Sequence, residues 1–226
     1  MKHDIVLTVP IYATAVEQLD QNFTVHRLWQ AKHRSAFFAE IRDRVRAIAT
    51  GGYPINAELM DELPKTEIIA TQSVGVDHID LAAARARGIA VTNTPDVLTD
   101  ATADLTIALI MDITRRISEG DRLIRRGGWK EWSLDLMVGK ELRGKTLGII
   151  GFGRIGQAVA ARAPAFGMRV AYTGRGPKSG ASGENMPLDR LLSTSDVVSV
   201  HCPLTPETKH LINQTTLARK IGRAHV

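Results

Sequence analysis

Cysteine is nearly absent from the chain. Cys202 stands alone among 226 residues, which excludes an internal disulfide framework and makes a reducing, cytoplasmic setting the default. Long hydrophobic runs are also missing. The most apolar stretch, Leu105–Met111, is bounded by Asp104 and Asp112, far short of the ~20 apolar residues a membrane-spanning helix needs. The opening Met1-Lys2-His3-Asp4 lacks the apolar core of a secretory leader. No block of five like charges occurs, so the net charge of +5 is spread out and suits anionic small molecules better than nucleic acid. No solenoid repeat is found and no metal is called for. Aromatic residues make up only 5%, which draws attention to Trp129 and Trp132, two residues that either fill a core or form a contact with a second copy.

What is present is an alternation of short β-rich runs and amphipathic segments. Ile5–Val9, Phe23–Val25, Ala47–Ala49, Ile68–Ala70 and Ile89–Val91 read as strands, with helical patterns around 13–20, 35–45, 56–62 and 79–86 between them. This rhythm predicts a parallel sheet with helices on both faces. A helix is predicted from about residue 99 to Arg116, capped by Thr99 or Asp100, with Asp104 in its first turn and Gly127-Gly128 as the next break. A second β-α-β series follows in Thr146–Ile150, Arg169–Tyr172 and Val197–Val200, with a flexible-looking loop over 174–185.

The second series carries the chemistry. Gly151, Gly153 and Gly156 form G-x-G-x-x-G between an apolar strand and a helix predicted over Gln157–Ala163. The first glycine permits a tight turn, the second lets backbone approach a pyrophosphate, and the third lets helix and strand pack closely. With both flanking elements in order, the motif predicts dinucleotide binding. NAD-binding versions put a carboxylate about 20 residues further on, for the ribose 2′-hydroxyl. Here Tyr172 is followed by Thr-Gly-Arg-Gly-Pro-Lys178, without an acid. Arg175 and Lys178 read as a clamp for a 2′-phosphate, hence NADP with NAD as second choice, or else as a plain exposed basic loop.

Five stretches together resemble the D-isomer-specific 2-hydroxyacid dehydrogenase family. They are Ser73-Val-Gly-Val-Asp-His-Ile-Asp80, Gly88–Pro95, Ala101–Leu105, the glycine motif and His201–Thr208. Tyr172–Lys178 further resembles the glyoxylate/hydroxypyruvate reductase branch. The resemblance implies a flavodoxin-like substrate domain over 1–98 followed by a partial doubly wound Rossmann domain over 99–219. It implies that backbone at Val74 and Gly75 binds the substrate carboxylate, and that Arg154 and Ile155 give N–H groups to the pyrophosphate. Thr102 would contact cofactor phosphates or be an ordinary helix residue. Pro203 and Thr208 would flank the cofactor or form a simple turn. His78 is a decoy expected to cap a helix or lie exposed, and Cys202 a buried small hydrophobe.

The implied reaction is hydride transfer between NADPH and a small 2-oxo or 2-hydroxy acid in a homodimer, with no nucleic-acid or membrane partner and with Trp129 and Trp132 at the dimer contact. The alternative is a non-catalytic NAD(P)-sensing or corepressor-like protein on the same fold. The family's arginine, glutamate and histidine fall beyond the end of this sequence, so no catalytic residue is assigned and the chain alone is expected to be inactive. The ending Ile221-Gly-Arg-Ala-His-Val226 matches a translated sequencing adapter, so residues 220–226 are expected to be a non-native tail on a truncated chain.

Overall fold

The computed structural model describes residues 2–220, which divide into two compact units with the boundary between Val97 and Leu98. Residues 221–226, most of the expected non-native tail, lie outside the described residues.

The first unit runs β1 (Asp4–Leu7), α1 (Ala13–Asn22), β2 (Thr24–Arg27), α2 (Arg34–Ile41), β3 (Val45–Thr50), α3 (Ala57–Glu62), β4 (Ile68–Thr71), α4 (Leu81–Ala86) and β5 (Ala90–Thr92). Its five strands are all parallel in the order β2-β1-β3-β4-β5, the flavodoxin-like arrangement. Ile5, Val6 and Leu7 are buried in succession, as a strand covered on both faces requires. Val6, Ile48 and Ile69 join Phe38, Ile41 and Leu59 in one core. Two helices start on side-chain caps: Asn56 accepts from Leu59 N–H at 3.0 Å, and Asp80 from Ala83 N–H at 2.9 Å.

The second unit runs α5 (Thr99–Arg115), α6 (Ile117–Arg125), β6 (Thr146–Ile150), α7 (Arg154–Arg162), β7 (Arg169–Thr173), β8 (Glu184–Asn185), α8 (Leu188–Thr194), β9 (Val197–Val200) and α9 (Gln214–Ala218). Its parallel sheet has the order β8-β7-β6-β9. Counted within the unit this is 3-2-1-4, the first four positions of the Rossmann order 3-2-1-4-5-6. The order reverses between β6 and β9, and doubly wound sheets bind ligands at the carboxyl ends of strands at such a point. Among the described residues, no helix is long and apolar enough to cross a membrane.

Several local expectations need correction. Leu98, not Thr99 or Asp100, is the N-cap of α5, and it has no side-chain cap. Asp104 falls in the second turn, where it pairs with Arg162 at 2.6 Å. The first helix ends at Arg115, as expected, but a second one, not foreseen, fills the stretch up to Arg125. Arg116 adopts a left-handed conformation at φ 57°, and α6 begins at once, its Ser118 N–H and hydroxyl both bonded to the Asp112 carboxylate. The glycine-motif helix starts at Arg154, three residues before the expected Gln157.

Candidate functional site

The three motif glycines meet three different surroundings. Gly151 leaves β6 at φ 92°, and its N–H donates to Thr173 O at 2.9 Å. A Cβ on Gly151 would strike the backbone of His201 and Cys202, which follow β9. Gly156 is buried in α7, and a Cβ there would strike the Gly151 carbonyl oxygen. At Gly153, the N-cap of α7, a Cβ would meet nothing within 4 Å. Two glycines are therefore demanded by packing, and the third keeps open the space in front of the helix. An α-helix leaves its first amides without intrahelical acceptors. α7 has neither a side-chain cap nor an acidic residue in its own first turn, the place where a carboxylate would offset the positive end of its dipole. Arg154 and Ile155 are the first two residues of this helix.

Thr102 is the fourth residue of α5; it is half-buried, and its carbonyl accepts from the Thr106 hydroxyl at 2.8 Å. Arg162, at the end of α7, bonds Asp100 and Asp104 near the start of α5. Pro164–Phe166 then border a depression with Met111 and Arg115 near its end.

Arg175 and Lys178 follow β7, whose last residue Thr173 is in register with Ile150 of β6. Both cations are exposed and, among the described residues, neither forms an ion pair. The loop that carries them is anchored from below. Tyr172 is buried and stacked on Phe152 with ring centroids 3.7 Å apart, and its hydroxyl accepts from Lys178 N–H at 2.9 Å. Sequence reasoning used Tyr172 as the end of a strand and as part of the stretch that carries the branch resemblance, not as an anchor for the loop. Its signal, a lone polar aromatic closing an apolar strand, is legible in hindsight, because a buried tyrosine hydroxyl needs a partner.

Beyond β9, Thr208 shapes a turn: its hydroxyl donates to Pro203 O at 2.6 Å and accepts from Thr205 N–H at 2.8 Å. The His201 Nε2 is 2.8 Å from the Ser199 hydroxyl, and burial pushes the imidazole below its ordinary pKa, favouring the neutral ring. Cys202 is half-buried rather than fully buried. The carboxyl ends of β6, β7 and β9 thus bring together the glycine loop, Arg175, Lys178, Pro203 and Thr208.

Val74 and Gly75 belong to the first unit, in the loop after β4. The loop's carbonyls are engaged: Asn93 Nδ2 donates to Val74 O at 2.8 Å, Ser73 Oγ to Gly75 O at 2.7 Å, and Thr94 N–H to Ser73 O at 3.2 Å. Among the described residues, the N–H groups of Val74, Gly75 and Val76 donate to no protein acceptor. Occupied carbonyls and free amides make a loop suited to an anion. Ser73, Asn93 and Thr94 set this polarity, and sequence reasoning missed their part in it. His78 neither caps a helix nor lies exposed. Asp80 caps α4, and the His78 Nε2 is buried with no hydrogen-bond partner.

Trp129 and Trp132 do not fill a core. They are 53% and 72% exposed and line one depression with Ile117, Ile124 and Leu136, all exposed as well.

The family model described as "D-isomer specific 2-hydroxyacid dehydrogenase, NAD binding domain" matches residues 107–224. A glyoxylate reductase from Thermococcus onnurineus (strain NA1) is 40% identical over 96% of this chain and 68% of its own length. A hydroxyphenylpyruvate reductase from Plectranthus scutellarioides is 41% identical over 94% of this chain and 68% of its own. The crystal structure of an NADPH-dependent glyoxylate/hydroxypyruvate reductase from Sinorhizobium meliloti, in complex with NADP and malonate, superposes with a TM-score of 0.87 at 36% identity. That match covers 97% of this chain and 68% of the other. The chain is therefore shorter than these relatives, and it belongs to the D-isomer-specific 2-hydroxyacid dehydrogenase family.

Proposed function

We propose that the protein is an NADPH-dependent reductase of small 2-oxo acids, with glyoxylate or hydroxypyruvate as substrate. The observation that carries this is the contrast among the motif glycines: packing fills the space around Gly151 and Gly156, while Gly153 leaves a cradle open before an uncapped helix. A diphosphate suits that cradle, held by backbone at Gly153, Arg154 and Ile155. Arg175 and Lys178 take the 2′-phosphate. Thr102 and Pro203 border the coenzyme, and Thr208 acts through the turn it closes. When bound, the coenzyme supplies hydride to the C2 carbonyl. The amides of Val74 and Gly75 hold the substrate carboxylate and fix which end of the 2-oxo acid faces the loop. Relatives that carry the same activity in their names support the substrate class.

Among the described residues, no histidine is paired with a carboxylate beside the Val74–Gly75 loop. The His26–Asp4 pair, at 2.7 Å, links β2 to the first residue of β1, at the amino edge of the sheet. These 226 residues by themselves are therefore expected to bind coenzyme without turning it over. In the full-length enzyme, NADPH consumption with glyoxylate and hydroxypyruvate, measured beside NADH, tests the reading. A folded enzyme that binds neither coenzyme in calorimetry overturns it.

The exposed apolar surface around Trp129 and Trp132 is covered by a second copy in this reading, since a contiguous patch of this kind marks an interface. Sedimentation of the full-length enzyme is expected to give a dimer that Trp132→Glu converts to monomer. A wild-type monomer at micromolar concentration would remove this part.

A further inference from the structure

The loops at the carboxyl ends of β1, β3 and β4 hold a polar group that the reading above leaves unused. Gln72 directly follows β4 and is exposed. Its backbone is fixed on both sides: its N–H donates to Thr50 O at 3.0 Å, and its carbonyl accepts from the Thr94 hydroxyl at 2.8 Å. Its side chain lies against Gly51, where an added Cβ would stand 2.7 Å from Nε2 and 3.3 Å from Val9 Cγ2. Among the described residues, the carboxamide has no hydrogen-bond partner. The Thr8 and Thr50 hydroxyls, buried and 2.8 Å apart, hold the ends of β1 and β3 together beside it.

Strand order reverses at β1 and β3 in this sheet, so the crevice outside their carboxyl ends is where such a fold takes a ligand. Val9 follows β1, Gly51 follows β3, and Gln72 follows β4, two residues before Val74. One wall of that crevice therefore carries a donor and an acceptor with no internal partner, while the facing position has no side chain at all.

We infer that Gln72 is a specificity-determining residue whose carboxamide hydrogen-bonds a polar group on C3 of the 2-oxo acid, with Gly51 leaving it room. This rests on the reading that the Val74–Gly75 amides hold the carboxylate. The substrate class it selects is 2-oxo acids with a hydroxyl or similar group at C3, over those with a plain methyl or no substituent.

Hydroxypyruvate and pyruvate differ only by that hydroxyl, so their kcat/KM ratio with NADPH in the full-length enzyme isolates the contact. Gln72→Met keeps the length of the side chain and removes its hydrogen bonds. It is expected to lower the hydroxypyruvate-to-pyruvate ratio roughly three- to tenfold, the worth of one neutral hydrogen bond. Gly51→Ala, which displaces the carboxamide, is expected to shift the ratio the same way. An unchanged ratio in Gln72→Met overturns the inference while the wild type still reduces both acids. A wild type that reduces neither overturns the inference together with the reading beneath it.

Discussion

Replacing Gly151 with alanine is expected to destabilise the second unit severely. Two penalties act together. A left-handed backbone costs an L-residue about 1–2 kcal/mol, and forcing a methyl group into a filled space costs about 1–3 kcal/mol more. Both apply at Gly151, with φ 92° and the His201–Cys202 backbone where the methyl would go. A loss of about 2–5 kcal/mol is a large share of the ~5–15 kcal/mol that holds a typical domain, and it should lower Tm by on the order of 10 °C in a circular dichroism melt. Gly153→Ala is the control that separates packing from binding. Gly153 sits at φ −81°, which alanine adopts freely, and its Cβ would meet nothing. The variant should melt within a few degrees of wild type, since an alanine N-cap costs only about 0.5–1 kcal/mol relative to a better cap. Its affinity for NADPH should nevertheless drop about ten- to hundredfold, the equivalent of a clash of about 1–3 kcal/mol with the diphosphate. Wild-type affinity in Gly153→Ala would mean that the diphosphate does not lie there.

The second large effect concerns coenzyme choice. Arg175→Ala is expected to reduce the preference for NADPH over NADH about ten- to hundredfold, the worth of a hydrogen bond to a charged group at ~1.5–3 kcal/mol. Arg175→Asp should move it further, since a carboxylate repels the phosphate and accepts from a free ribose hydroxyl. The guanidinium is exposed, so raising the salt concentration should weaken NADPH binding more than NADH binding in the wild type, with the difference shrinking in Arg175→Ala. Titration calorimetry at two ionic strengths reads both effects. Equal NADPH affinity in wild type and Arg175→Ala would remove the clamp.

How legible all this was depends on the sequence distance over which each feature is made. The glycine motif could be read because a strand, a turn and a helix within a dozen residues carry their own patterns of apolar spacing. The strand alternation was visible for the same reason, except for the two-residue β8, which lies at the end of the stretch read as a loop over 174–185. The wedge of Gly151 against Cys202 could not be seen, because it joins residues far apart that only the sheet order brings together. The ties from Asn93 and Thr94 that occupy the carbonyls of Val74 and Ser73 are likewise long-range. The start of α6 escaped notice because Arg116 takes a left-handed conformation without the glycine that usually announces one. His78 misled in the opposite sense. Its place near a helix start suggested a cap, but Asp80 two residues later takes that role.

The bracing of Gly151 by the backbone after β9 also has a bearing on biosynthesis. During translation the glycine loop leaves the ribosome some fifty residues ahead of the segment that supports it. Until Cys202 has emerged and docked, the turn lacks one of its walls. A nascent chain is therefore expected to acquire its nucleotide pocket late and abruptly, when the fourth strand of the unit closes on the first, and not gradually as the motif itself is synthesised.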